Sequence, residues 1–171
     1  MASDADKSGT QKAAEADVEG FKEELGPFVV AAETTRMPMM FTNAKAPGHP
    51  IIFVNQAFLT LTGYEEHELL GQCFDFMMER GTDPEALAEI QTAFEGGRDL
   101  DTQVRCRRKN GSMFWVTVFI SPVRDEGGAV VQHFASFVDI TRHKEEGERL
   151  RSILESISDL ISHGQGLGPT A

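Results

Sequence analysis

The chain has 171 residues, enough for one domain with flanking segments and too few for two. Hydrophobic residues make up 40% and charged residues 25%, no apolar run is of membrane-spanning length, and the first residues lack a signal-peptide core. The net charge of −11, from 16 basic and 27 acidic residues, argues against nucleic acid and anionic membrane as partners, and a cytoplasmic location is expected.

Residues 1–16 are polar and Ala-rich with no apolar period, and are expected to be disordered or weakly helical towards their end. In "DVEGFKEELG", Val18, Phe21 and Leu25 recur at spacings of three and four, which predicts a cap helix over 17–26, stopped by Gly26-Pro27. "PMMFT" and "IIFVN" are β-like runs; the "NAKAPGHP" between them is too long for a tight turn and fits a wider hairpin connection. Asn55 caps "QAFLTLTG", and "EEHELLG" predicts a second small helix ending at Gly71. Asp83, with Pro84 at the first helical position, opens "PEALAEIQTAF", which "EGG" closes.

Three long strands follow. "LDTQVRCRRK" alternates, with Thr102, Val104 and Cys106 on one face and Gln103, Arg105 and Arg107 on the other. An "NG" turn leads to "SMFWVTVFISPV", and "RDEGG" leads to "AVVQHFASFVDI". Over 141–163 the pattern turns helical: Leu150, Ile153, Leu154, Ile157, Leu160 and Ile161 repeat as in a short coiled-coil seam. Residues 164–171 are Gly-rich and expected to be loose. The order predicts an α+β fold, a five-stranded antiparallel sheet with short helices on one face, with its core over 27–140 and a helix flanking each side.

Chemistry-bearing motifs are few. "RCRRKNG" has no interleaved aromatic residues and reads as a solvated rim. Cys73 and Cys106 lack CxxC or metal-ligand spacing and read as reduced core thiols. No Ser-His-Asp, paired-carboxylate or phosphate-loop pattern occurs at credible spacing, so no enzymatic activity and no metal are expected. His133 reads as a solvated strand residue, and Met37, Met39 and Met40 as adaptable packing on the first strand.

"IIFVNQAFLTLTGYEEHELLGQ", "RRKNGSMFWV", "ISPVRDEGG" and "VVQHFASFVDIT" together resemble a PAS domain, and within that class the light-oxygen-voltage (LOV) flavin photoreceptors. The resemblance covers about 27–142 and implies the PAS fold. LOV domains hold flavin mononucleotide (FMN) on an Asn-Cys-Arg-Phe-Leu-Gln helix whose Cys forms the photo-adduct and whose Arg meets the phosphate. Aligned from Leu70-Gly71, Cys73 stands at the Asn position, Phe74 at the adduct Cys, Asp75 at the Arg and Met78 at the Gln, while Phe76 matches. One residue on a helix turns a side chain by roughly 100°, so Cys73 is not expected to replace the nucleophile. Cys106 and Val116 stand where the resemblance implies ring-reading Asn residues, and Phe137 where it implies the switching Gln. The second phosphate-binding Arg has no counterpart near Ala88 and Gln91.

This pattern implies a LOV-like PAS regulatory module of bacterial signal transduction, without cofactor and insensitive to light. Phe74, Phe76, Met77, Met78, Val104, Cys106, Val116 and Phe137 are expected to fill the former flavin space as core rather than line a pocket. The alternatives are a flavin photoreceptor working without an adduct and a sensor of a small apolar ligand. The resemblance also implies ion pairs Glu68–Lys109 and Arg124–Asp139, and output through a C-terminal helix that pairs with its mate in a homodimer or meets a signalling partner. No output domain is expected within these 171 residues.

Overall fold

The structure, a computed structural model, describes residues 9–78 and 83–164. It falls into two compact units that divide after Asp139. The first holds α1 (Gly9–Leu25), α2 (Phe28–Thr34), β1 (Met39–Asn43), β2 (Ile51–Val54), α3 (Gln56–Thr62), α4 (Glu66–Leu69), a 3₁₀ turn (Phe74–Met77), α5 (Pro84–Gly96), β3 (Leu100–Arg107), β4 (Met113–Arg124) and β5 (Val130–Asp139). The second is the single helix α6 (Thr141–Gly164).

The strands form one antiparallel sheet in the order β2-β1-β5-β4-β3. The meander of β3, β4 and β5 follows the alternation of the sequence: Val104, Cys106, Val116, Val118, Ala135 and Phe137 are buried, while their neighbours Gln103, Phe119 and Val138 are exposed. α5 packs beside β3 and buries Ala86, Ile90 and Ala93. On the opposite face, Phe21 of α1 lies 4.5 Å from the Phe41 ring and 5.6 Å from that of Phe53.

α1 begins at Gly9, eight residues before the expected start at Asp17; residues 1–8 lie outside the described residues, as do the side chains of Val18 and Leu25. Residues 9–16 are helical, continuous with the helix expected from Asp17. Their Ala and Lys content favours helix once Phe21 anchors the next turn. The short α2 has no apolar period, buries no residue, and was not foreseen. β1 starts at Met39, so Met37 is 46% exposed while Met40 is fully buried.

Caps behave as their sequences direct. Asn55 Oδ1 accepts from Phe58 N (3.0 Å) and from Met39 N (3.0 Å), while its Nδ2 donates to Ala32 O (3.0 Å) and Met37 O (2.8 Å). One buried side chain thus caps α3 and ties α2 to the entry of β1. Asp83 accepts from Ala86 N and opens α5. Gly97 closes α5 at φ 58, and a Cβ there would stand 2.7 Å from Val130 Cγ2, so the position needs glycine.

Glu68 and Lys109 meet at 2.9 Å, and Glu68 also accepts from Glu65 N, which with Lys109 lowers its carboxyl pKa. The Arg124–Asp139 pair does not form. β4 and β5 run antiparallel, so Arg124 lies opposite Val130 while Asp139 lies opposite Val116, at the other end of the ladder. Arg124 instead donates to the carbonyls of Gly97 (2.9 Å) and Gly128 (3.0 Å). Asp139 faces Arg108 at 3.6 Å, whose Nε donates to Leu61 O and whose guanidinium lies 4.4 Å above the Phe114 ring centre.

Candidate functional site

The residues aligned with the LOV cofactor helix do not make a helix. α4 ends at Leu69, Gly71 turns at φ 84, and Cys73 precedes the short 3₁₀ turn over 74–77. The tighter turn and its extended exit at Met78 change which side chains face inward. Phe74 and Met77 are buried, Asp75 and Phe76 are exposed, and Met78 is half-buried, its backbone bridging to Cys106. Met77, rather than Met78, is the fully buried methionine here.

The Phe74 ring lies 5.5 Å from Phe137, which meets Phe58 at 4.9 Å. Cys106 and Val116, at 1% and 0% exposure, lie in the same buried cluster. Burial pushes the Cys106 thiol up to about 12, so it is inert at neutral pH. Cys73 is half-exposed, which corrects the expectation of a core thiol; its Sγ donates to Gly48 O at 2.8 Å, and partial burial followed by the Asp75 charge raises its pKa. Both effects oppose the thiolate, so Cys73 is a poor nucleophile.

A cavity of about 270 Å³ opens beside this cluster. Its walls are Phe74, Leu87, Ile90 and Phe94, with Gly48 and His49 from the β1–β2 connection. Cys73, Asp75, Gln91 and Glu95 also line it.

The sequence reading missed the polar end of the core. His133 is 1% exposed, which corrects the expectation of a solvated residue. Strand parity carries the signal: His133, Ala135 and Phe137 alternate on one face, so an inward Phe137 requires an inward His133. The His133 ring stands edge-on to Phe94 (4.7 Å) and His49 (5.1 Å), and its Nδ1 meets Thr42 Oγ1 at 3.2 Å. His49 adopts φ 48 and stacks on Phe94 at 5.8 Å. Among the described residues, His133 Nε2 and His49 Nδ1 are the buried side-chain polar atoms without a hydrogen-bond partner.

Burial, then the neighbouring His49, push the His133 pKa down to about 4; the Phe94 carbonyl tempers the shift without forming a hydrogen bond. The fold therefore prefers the neutral ring. Its stabilising contribution is complete above the unfolded pKa of about 6.5 and is lost as pH falls towards 4. Between pH 7 and 5.5 the unfolding free energy should drop by on the order of 1 kcal/mol more in the wild type than in His133→Phe. Urea titrations at the two pH values check this; an equal drop in the two proteins would place the ring in water.

Among the described residues no helix is long and apolar enough to cross a membrane, and no group of three or more His, Cys, Asp or Glu is placed to hold a metal ion. Residues 37–142 match the PAS domain family. The chain belongs to that family. This PAS domain is 40% identical over 121 residues to a blue-light-activated histidine kinase of Brucella anthropi, a match covering 71% of this chain and 25% of the kinase. It covers 38% of a kinase of the same name from Rhizobium johnstonii, so the chain spans well under half of the curated relatives it matches. An RNA-binding light-oxygen-voltage receptor aligns with a TM-score of 0.69 and 29% identity, over 77% of this chain and 38% of that one. The PAS domain of the fruit-fly ELK potassium channel aligns with a TM-score of 0.64 and 28% identity, over 68% of this chain and 97% of that one. The chain is a LOV-type PAS sensory domain of signal transduction.

Proposed function

We propose that this PAS domain is a flavin-free, light-insensitive regulatory module that works without catalysis, as a homodimer joined through α6, in bacterial cytoplasmic signalling. The observation that carries the reading is the ring contact of Phe74 with Phe137, at the positions where LOV domains place the adduct Cys and the switching Gln. The residues present do not fit a flavin. Cys106, Val116 and Phe137 offer no strong donor to a ring edge, and each buried flavin group left without a partner would cost roughly 1–3 kcal/mol. Asp75 and Glu95 line the adjoining cavity and would repel a phosphate.

Part of the basic run is engaged within the domain, Arg108 with Leu61 and Asp139 and Lys109 with Glu68, which supports a domain that does not bind RNA despite the RNA-binding neighbour. In α6, Leu150, Ile153, Leu154 and Ile157 are each 48–66% exposed, and Ile161 continues the stripe, as a helix waiting for its mate would leave them. The helix is continuous through Gly147. A flavin photoreceptor without adduct chemistry is the alternative, supported by the name of the kinase relatives.

Phe74→Cys separates the two readings. The variant, incubated with excess FMN, should show no reversible bleaching under blue light, because its new thiol has no bound ring to attack. Bleaching with recovery in the dark would establish that the flavin space is open.

A further inference from the structure

The geometry points to the cavity between α5, the 3₁₀ turn and the β1–β2 connection as a binding site for a small aromatic or aliphatic cation, an amine with one hydrogen-bonding group. This goes beyond the flavin-free reading. Phe74 is shared between the cavity and the buried cluster, whereas Phe137 belongs to the cluster alone, so a full core and an open cavity coexist. At about 270 Å³ the cavity sits near the lower edge of the ~300–1,000 Å³ of small-molecule sites, which limits the ligand to a small body.

Three features set the class of ligand. Phe74, Leu87, Ile90 and Phe94 provide an apolar wall that rewards a hydrocarbon body. The charged residues among the described lining are Asp75 and Glu95, with no Lys or Arg, so the field inside favours a cation and opposes a carboxylate or phosphate. The third is independent of the first two. His49 belongs to the wall, and its Nδ1 is buried without a partner; His133, whose ring centre lies 5.1 Å from that of His49, is not part of the lining. Native cores rarely leave such an atom unpaired, and a ligand group or a water it holds would complete it. The His49 ring stacks on Phe94, another wall residue, at 5.8 Å.

Three probes of similar size and different charge test the proposal: phenethylamine, 2-phenylethanol and phenylacetate. Each is titrated into the full chain, with binding read from the amide resonances of Gly48, His49 and Gln91. Phenethylamine should bind at least about tenfold more tightly than phenylacetate, with saturable shifts at those amides. Combining Asp75→Asn with Glu95→Gln, both exposed and tolerant of change, should bring the two within roughly threefold. The proposal is overturned if phenethylamine shows no saturable shift up to about 10 mM, if phenylethanol or phenylacetate binds as tightly, or if the shifts map elsewhere. Flavin content is read separately by absorption, so a bound flavin would defeat the proposed function without being mistaken for failure of these titrations.

Discussion

Asn55→Ala should lower the free energy of unfolding by about 3–5 kcal/mol, more than any exposed substitution in this domain. Asn55 is 1% exposed and uses both ends of its amide. Its oxygen takes the Phe58 and Met39 amides, and its nitrogen serves the Ala32 and Met37 carbonyls. Alanine removes the cap of α3, worth about 1 kcal/mol, and strands two or three backbone groups at roughly 1–3 kcal/mol each. Asn55→Ser keeps an oxygen near the Phe58 amide and should recover about 1 kcal/mol of the loss. Urea unfolding of the three proteins measures the differences. A loss below about 1 kcal/mol for alanine would mean that water replaces the side chain freely.

Self-association should weaken by at least about a hundredfold when Leu154 and Ile157 are both replaced by Asp. Each protomer would lose two side chains that bury on the order of 2 kcal/mol apiece on pairing, and would gain charges facing their copies. A helix of this kind is marginal alone, so the exposed stripe of α6 gains stability from a mate. The buried cluster lies wholly in the first unit, so the circular dichroism of the sheet should persist in the variant. Sedimentation velocity at tens of micromolar decides: a monomeric wild type, or a variant still dimeric, would remove α6 as the joining surface.

The parts of the fold written in local chemistry are legible in the sequence. Asn55, Asp83 and Gly97 announce the ends of α3 and α5, and the period of two in β3, β4 and β5 announces the meander. Glu68–Lys109 follows from the resemblance and forms. What escapes depends on geometry several strands away. Arg124–Asp139 fails because antiparallel register places the two at opposite ends of one ladder. Met78 gives its place to Met77 because the segment is a 3₁₀ turn rather than a longer helix. His133 was legible in principle, since parity ties it to Phe137, but a polar residue suggests water until Thr42, His49 and Phe94 are seen around it. The cavity is legible in part, since the resemblance implies a ligand space around Cys73, Phe74 and Asp75, while His49 and Glu95 come from separate elements and carry no signal of joining it.

The visible absorption spectrum of the freshly purified protein tests the central claim most directly. The filled contact between Phe74 and Phe137, and inner strands without ring-reading donors, lead to a colourless protein with no flavin band after gel filtration. A stoichiometric flavin spectrum that travels with the protein through the column would contradict it.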